Sequence, residues 1–320
     1  MIKHTTSTFT LRDKLNHLLA RTGLRRDRFR VQPGLYTLGN PDKQSSVFVT
    51  ANYGLSFDKL RAALFGVDCY ILVLDTKGIN VWCAAGKGTF GTEELIHRID
   101  SVKLKQHVDH DMLILPQLGA PGVAAHEVTE RTGFRIEYGP VRAEDLPEYL
   151  RNYKATPEMR RVRFNLLDRL ILIPVEVTHM LLPAIIITVF LYLVSGPLAA
   201  LAILAIVVAN LIIFPILLPW IPTPNFSTKG FLLGSIVAIP FFLLAFFDNP
   251  LAEWWKRVGY ALPYLLILPS LVGFIGLTTT GVTTYASRSG VEREISAYFP
   301  VMFWMLCGGT LLGVIFRFIR

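Results

Sequence analysis

Cysteine is scarce in this chain of 320 residues, which has only Cys69, Cys83 and Cys307, all far apart. Their spacing fits neither a disulfide framework nor the paired cysteines of a zinc or iron–sulfur site. We therefore expect a chain that does not rely on disulfide bridges. A cubane iron–sulfur cluster generally takes four cysteine ligands, so this chain cannot build one by itself.

Charged side chains are nearly absent from long stretches of the second half of the chain. Five apolar runs follow one another there, at residues 171–194, 198–220, 230–247, 258–280 and 298–316. A helix of about 20 apolar residues spans the hydrocarbon core of a bilayer. The pattern predicts a membrane domain of five transmembrane helices over residues 170–320.

An acidic middle region excludes one class of function. The net charge is +8, but residues 31–150 carry eleven basic and fifteen acidic side chains. The net charge of this region is therefore negative, which disfavours binding to the phosphates of a nucleic acid. The positive charge lies in residues 1–30, with eight basic and two acidic side chains, and in residues 151–163, with five and one. We therefore predict no nucleic-acid partner.

The basic residues before the first apolar run predict an orientation in the membrane. Such a cluster holds its end of a helix in the cytoplasm, and the first 30 residues lack the apolar segment of a signal peptide. We expect a multi-pass protein of the cytoplasmic membrane with its N-terminal part in the cytoplasm. The basic cluster at 151–163, which overlaps the basic juxtamembrane linker 154–169, is expected to contact anionic membrane lipid.

Apolar strands alternate with helical patterns between the N-terminus and the linker. The strands are predicted at 46–50, 69–75, 111–116 and 134–139. Nearly continuous apolar strands separated by amphipathic helices indicate a parallel sheet with helical crossovers. We predict a Rossmann-like α/β domain over residues 45–153, preceded by a basic segment, residues 1–44.

The loops after these strands are rich in glycine, proline and small residues, which favours close approach of the backbone to a ligand. Parallel sheets bind ligands at the carboxyl ends of their strands. The loops contain neither G-x-G-x-x-G nor a complete P-loop, so a dinucleotide or a nucleoside triphosphate is disfavoured.

Cys83 lies in one of these loops, in the stretch "NVWCAAGKGTFGT". A free cysteine is often a small buried hydrophobe, and that interpretation stays open. Alternatively, Asn80 caps a short helix over residues 81–85, Gly86 ends it, and the thiol faces the ligand crevice. Ala84 and Ala85 would then leave room for a large flat ligand. One thiol without histidine or aspartate companions cannot hold a bare metal ion, which favours a macrocycle that brings its own ligands.

The segment "NVWCAAGK" resembles the cap-helix signature of the membrane-anchored corrinoid protein family of mercury methylation. The segments "VFVTANYGLSFDKLR", "LPQLGAPGVAAHEV" and "YGPVRAEDLPEYL" agree with it, and the resemblance covers nearly all of the chain after residue 30. A second segment, "TGVTTYASRSGVERE" at 280–294, is similar to one in the corrinoid iron–sulfur protein of the acetyl-CoA pathway, with Ala286 in place of the threonine expected there.

The resemblance implies a cobalamin, or a related corrinoid, whose cobalt takes Cys83 as its lower axial ligand. The corrin would lie against the 81–85 helix and its nucleotide tail would enter the crevice. The D-x-H-x-x-G motif of histidine-ligated cobalamin is absent, and Trp82 is as well explained by core packing as by a corrin contact. The other residues implied to bind the cofactor are Thr50, Asn52, Asn80, Val81, Trp82, Ala84, Ala85, Gly86, Lys87, Gly119, Gly122 and Gly139.

The implied activity is that of a corrinoid-dependent methyltransferase. A methyltetrahydrofolate-type donor would supply a methyl group that passes through methylcob(III)alamin to Hg(II), and a ferredoxin-like protein with two 4Fe–4S clusters would return cobalt to Co(I). Two alternatives stay open: a methyl carrier for another acceptor, and a membrane transporter or scaffold with a ligand-sensing α/β domain.

The remaining cysteines and two ionisable residues carry weaker expectations. Cys69 and Cys307 are expected to be packing residues. Glu176 and His179, a turn apart in the first apolar run, suit a structural role near the headgroups or a part in transport.

Overall fold

Two compact units make up the chain, Met1–Arg163 and Phe164–Arg320. The architecture is that of a computed structural model, which describes residues 2–24, 28–283 and 288–319. The first unit contains a β-sheet with helices, and the second is helical.

Six strands form one sheet in the first unit. They are β1 (Lys3–Thr5), β2 (Gly34–Leu38), β3 (Val47–Ala51), β4 (Cys69–Leu74), β5 (Met112–Leu115) and β6 (Arg135–Tyr138). Their order across the sheet is β1-β2-β4-β3-β5-β6. β3 pairs in parallel with β4 and with β5, and β5 pairs in parallel with β6.

The sheet confirms the four predicted strands but corrects the prediction of an all-parallel sheet. β2 runs antiparallel to β4, with Leu35 opposite Leu72, and β1 pairs in parallel with β2. The predicted basic segment 1–44 therefore supplies two strands of the sheet. That segment is assigned from its nine basic residues, yet it contains β2, which is almost entirely buried.

Helices cover both faces of this sheet. They are α1 (Leu11–Arg21), α2 (Gly54–Ala63), α3 (Val81–Lys87), α4 (Thr92–Ser101), α5 (Ala125–Thr132) and α6 (Leu146–Asn152). Successive β3 side chains point to opposite faces, so Val47 and Val49 join the core under α3 and α4, whereas Phe48 joins the core with Phe57 and Tyr149.

The second unit is built of helices. They are α7 (Leu166–Leu170), α8 (Ile173–Ser195), α9 (Pro197–Val208), α10 (Phe214–Leu217), α11 (Phe226–Phe247), α12 (Trp254–Thr278) and α13 (Arg288–Phe318). In the described part of the chain, five helical stretches are long and apolar enough to cross a membrane: 166–195, 197–217, 226–247, 254–281 and 289–318. Each contains most or all of one predicted run.

Glu294 ties two of these helices together at their ends. Its carboxylate accepts hydrogen bonds from the backbone N–H of Phe226 at 3.1 Å and from the N–H and hydroxyl of Ser227 at 2.9 and 3.0 Å. These amides open α11, where no preceding turn supplies acceptors. Glu294 ends the second resemblance segment, whose Ala286 lies outside the described residues.

Candidate functional site

The helix that carries Cys83 begins as the sequence predicts. The side-chain oxygen of Asn80 accepts a hydrogen bond from the Cys83 N–H at 2.9 Å and so caps α3. The helix ends later than predicted, at Lys87, because Gly88 adopts the left-handed conformation with φ of 79°. Gly86 keeps an ordinary negative φ inside the helix, so the prediction that it ends the helix is wrong.

One face of α3 is packed against the sheet. Val81, Ala84 and Ala85 are spaced at three and four residues, so they share a face, and all belong to the core cluster that includes Phe90 and Leu115. Ala84 is fully buried. The expectation that the two alanines leave room for a ligand beside the thiol is therefore corrected: they are small because they face the core.

Two predicted cofactor residues, Gly119 and Gly122, have a packing role in the structure. They belong to the 3-10 segment Gln117–Gly122, which lies against α3 and Phe90. A β-carbon at Gly119 would lie 2.5 Å from the Phe90 ring, and one at Gly122 would meet the Phe90 carbonyl oxygen and, at 3.0 Å, the α-carbon of Ala85. Glycine lets this segment pack closely against the inward side of α3.

The opposite face of α3 is open. Trp82, Cys83, Gly86 and Lys87 are all exposed, and the thiol of Cys83 is free. A β-carbon built on Gly86 meets no atom within 4 Å. Among the described glycines of the α/β unit at which a β-carbon would find open space, Gly86 alone has a φ that any residue adopts. Neither backbone geometry nor packing within the unit explains a glycine here.

Asn52 organises the loop that leads into α3. Its side-chain oxygen accepts hydrogen bonds from the Thr76 N–H, the Thr76 hydroxyl and the Gly78 N–H, at 3.1, 2.9 and 2.9 Å. Its amide group donates to Asp75 Oδ1 at 3.1 Å, and the side chain is buried. The structure thus gives Asn52, predicted to bind the cofactor, a positioning role.

A crevice of about 370 Å³ opens at the carboxyl ends of β3 and β5, beside the first turn of α3. This position is the one at which parallel sheets bind ligands, and the volume lies in the usual range for small-molecule sites. The lining is mainly apolar. Its polar side chains come from Thr50, Ser56, Lys59 and Asn80.

The structure brings only some of the predicted residues to this crevice. Thr50, Asn80, Val81, Trp82 and Gly139 line it. The remaining predicted residues do not: Asn52, Cys83, Ala84, Ala85, Gly86, Lys87, Gly119 and Gly122. The crevice and the open face of α3 adjoin at the start of that helix, because Trp82 belongs to both.

Lys59 is a crevice residue that the sequence reasoning missed. Among the described residues that line the crevice it has the only charged side chain. Its ammonium lies 3.5 Å from Glu144 Oε1, an exposed ion pair between α2 and the 3-10 turn Ala143–Asp145. The sequence shows only a lysine in the helix that follows β3. That this lysine lines the crevice is known only once the fold places α2 beside it.

The two other cysteines differ in their environments. Cys69 is fully buried on β4, as predicted for a packing residue, and burial, with Asp68 nearby, raises the pKa of its thiol to about 12. Cys307 is exposed on α13. Within the helical unit it is therefore not the packing residue that the sequence predicted.

Glu176 lines a small cavity of about 90 Å³ in the helical unit, together with Arg169 and Asn210. Arg169 is buried and donates to the carbonyls of Pro215 and Ile216 at 2.8 and 2.7 Å. His179 is exposed and does not line this cavity, so the structure does not bring Glu176 and His179 into one site.

The first unit is a mixed α/β fold with a crevice at the carboxyl ends of its strands, and comparison with known proteins gives that unit relatives. Residues 14–150 match the family described as CO dehydrogenase/acetyl-CoA synthase delta subunit. This match covers less than half of the chain and ends before the helical unit.

Individual relatives agree with the family match. The chain is 32% identical over 127 residues to the acetyl-CoA decarbonylase/synthase complex subunit gamma of Methanopyrus kandleri, which is 39% of this chain and 27% of that protein. The same subunit of Methanocaldococcus jannaschii is 32% identical over 124 residues, which is 38% of this chain and 25% of that protein. The chain thus spans about a quarter of the length of these relatives.

Proposed function

We propose that the chain is a corrinoid-binding methyl carrier whose cofactor lies on the open face of α3. One observation carries the proposal: an exposed thiol, Cys83, stands beside a helical glycine, Gly86, that the unit itself does not require. Glycine within a helix costs about 1 kcal/mol relative to alanine. A ligand that must approach the helix backbone closely explains why that cost is tolerated.

The residues at the site fit a corrinoid. The Cys83 thiol, once deprotonated, offers a soft donor to cobalt, and no described group of three or more metal-ligating side chains competes for the role. A bound corrinoid would supply a cobalt centre able to accept and donate a methyl group. Asn80 fixes the helix turn that presents Cys83, and Asn52 fixes the loop before it.

The crevice suits the nucleotide tail of such a cofactor. Its apolar walls can pack the base, while Thr50, Ser56 and Asn80 offer hydrogen bonds. Lys59 would provide a positive charge for the phosphodiester of the tail, in exchange for its exposed ion pair with Glu144, which holds little energy. Close packing on the inward face of α3 would hold this helix in place under the cofactor. The residues that pack there are Ala84, Ala85, Gly119 and Gly122.

We propose Hg(II) as the methyl acceptor, on the strength of the "NVWCAAGK" segment and the five long apolar helices. The matched relatives are subunits of an acetyl-CoA decarbonylase/synthase complex, which favours a second candidate, methyl transfer to an acetyl-CoA-forming partner. Both candidates use the same site. They differ only in what receives the methyl group.

Electron supply and location complete the proposal. With three cysteines the chain cannot hold a four-cysteine cluster, so a ferredoxin-like protein with two 4Fe–4S clusters would return the cofactor to its reduced state. A methyltetrahydrofolate-type compound would donate the methyl group. The five helices would anchor the chain in the cytoplasmic membrane, with the basic residues 151–163 placing the α/β unit in the cytoplasm.

The experiment is to purify the full chain in detergent, load it with cobalamin under reducing conditions and record its absorption spectrum. We expect a bound corrinoid with its own base displaced and a cysteine ligand, and a Cys83→Ser variant with an altered spectrum. Lys59→Gln is expected to weaken loading about tenfold, against an unaffected Lys105→Gln control. A colourless protein that cannot be loaded would contradict corrinoid binding and would favour a transporter or scaffold.

The acceptor is tested separately. Loaded protein given a methyl group is offered Hg(II), with the product identified by mass spectrometry. One equivalent of methylmercury per chain is expected without the ferredoxin-like partner, and repeated turnover with it and the methyl donor. A loaded protein that methylates no Hg(II) would refute the acceptor while leaving corrinoid binding intact.

A further inference from the structure

Helix α1 turns a stripe of leucines away from the protein. Leu11, Leu15 and Leu18 are 85%, 55% and 60% exposed. Their spacing of four and three residues places them on one side of the helix. This is an apolar surface without a partner in the described chain, and we call it the leucine stripe.

The opposite side of α1 is fixed to the sheet unit. Asp13 Oδ2 accepts a hydrogen bond from Arg61 Nη2 at 3.0 Å, and His17 Nε2 lies 2.6 Å from Asp58 Oδ2. Ala20 is buried, and Thr10 and Asp13 form a capping box at the start of the helix. The contacts of Asp13 and His17 and the burial of Ala20 determine which side of α1 faces outward. The exposure of the leucine stripe is therefore a property of the folded unit.

Basic side chains flank the leucine stripe on both sides. With 3.6 residues per turn, Lys14 and Arg21 lie along one edge and Arg12 along the other. The one acidic residue of the helix, Asp13, is turned inward to Arg61. An apolar stripe bordered by positive charge is the pattern of a helix that lies in a membrane interface.

We propose that the leucine stripe and its flanking basic residues bind the surface of an anionic lipid bilayer. The inference rests on the proposed membrane location of the helical unit, which would tether the α/β unit to a bilayer. Charge complementarity identifies the occupant: residues 1–30 carry eight basic and two acidic side chains. A protein-docking surface would be expected to present aromatic anchors, and the stripe presents only leucines.

The test measures amide hydrogen exchange of residues 11–21 in the full chain, reconstituted in nanodiscs without any other soluble protein. Discs of phosphatidylcholine with phosphatidylglycerol are compared with discs of phosphatidylcholine alone. Opening of α1 would pull the leucines out of the interface, so exchange is expected to be about tenfold slower in the anionic discs. High salt should reduce this difference.

Two variants separate the surface from general effects. Replacing the three leucines together (Leu11→Gln, Leu15→Gln, Leu18→Gln) should abolish the slowing. The matched control Phe65→Gln, at an exposed apolar residue elsewhere in the unit, should retain it. A retained difference in the triple variant would overturn the proposal.

The outcomes also distinguish this inference from the membrane proposal. A chain that does not enter the discs overturns both. A chain that enters them with identical exchange of residues 11–21 in both lipids overturns only the lipid-binding role of α1. Slowing that appears only after addition of a soluble partner protein would assign the leucine stripe to that protein instead.

Discussion

Small residues occur on both faces of α3, but for different reasons. On the inward face, Ala84 and Ala85 are small because the core and the 3-10 segment lie directly against them. On the outward face, a β-carbon added to Gly86 would meet no atom of the described residues within 4 Å, and Cys83 is exposed one turn before it. Small size on the first face serves the folded chain. On the second face no contact with the described residues accounts for it, which is why the ligand is proposed there.

This contrast assigns opposite signs to substitutions only a few residues apart. Enlarging an inward residue should damage the fold. Enlarging an outward residue should leave the fold intact, or stabilise it, and damage only cofactor binding. Stability and corrinoid loading, measured in the same variants, therefore test whether the two faces of α3 have these separate roles.

The largest effect is expected for Cys83→Ala. Loss of the thiol that we propose as the cobalt ligand should reduce methyl transfer to below detection, whereas the free energy of unfolding should change by less than about 0.5 kcal/mol because the side chain is exposed. Methyl transfer and the amide exchange of β4 are measured side by side. Cys307→Ala, another exposed thiol, serves as the control and should keep activity. An active Cys83→Ala variant would rule out thiol ligation.

Ala84→Leu should destabilise the α/β unit by about 1–3 kcal/mol, because the core has no room for the added carbons. The readout is the opening free energy of β4 amides in the full chain, from hydrogen exchange. Loss of corrinoid loading would follow from the damaged fold. A variant of normal stability that fails to bind corrinoid would mean that Ala84 faces the ligand after all.

Cys69 is the buried counterpart of Cys83 and should make stability depend on pH. The unfolded thiol has a pKa of 9.0 and the folded one about 12. Between these values the unfolded state binds fewer protons, so the stabilising contribution is complete below pH 9 and decreases as pH rises. The decrease should be about 1.4 kcal/mol per pH unit. In Cys69→Val this component of the alkaline slope should vanish; an unchanged slope would show that other groups cause it.

The smallest effect, and the one with the opposite sign, is expected for Gly86→Ala. Without cofactor the variant should be more stable by about 1 kcal/mol, since alanine favours the helix and meets no atom. Gly86→Leu should keep that gain in large part and load corrinoid poorly. Thermal unfolding without cofactor and absorption after loading are the two measurements. Normal loading of Gly86→Leu would place the ligand elsewhere.

Much of the fold follows from the sequence because long apolar runs admit few interpretations. β3, β4, β5 and the five long helices are each continuous and apolar, whereas the edge strand β6 alternates charged and apolar residues. β1 escapes prediction because it has only three residues, and β2 because no helix separates it from β3 as a parallel crossover would require. The antiparallel direction of β2 depends on its pairing with β4, which is distant in sequence.

The site is less predictable than the fold because it depends on which way each residue faces. Asn80 could be identified as a helix cap from local sequence, but Gly86 and Gly88 are equally plausible helix ends until their φ angles are known. The buried face of α3 is set by Val81 packing in the core. The role of Asn52 depends on a loop more than twenty residues away.

Glu294 gives the helical unit an order of assembly. The first two amides of α11 receive their acceptor from a residue 68 and 67 positions later in the chain. At a synthesis rate of about 5–20 residues per second, roughly 3–14 seconds pass between synthesis of the start of α11 and synthesis of Glu294. During this interval the helix end lacks this cap, so α11 should reach its final position only when α13 has begun to emerge.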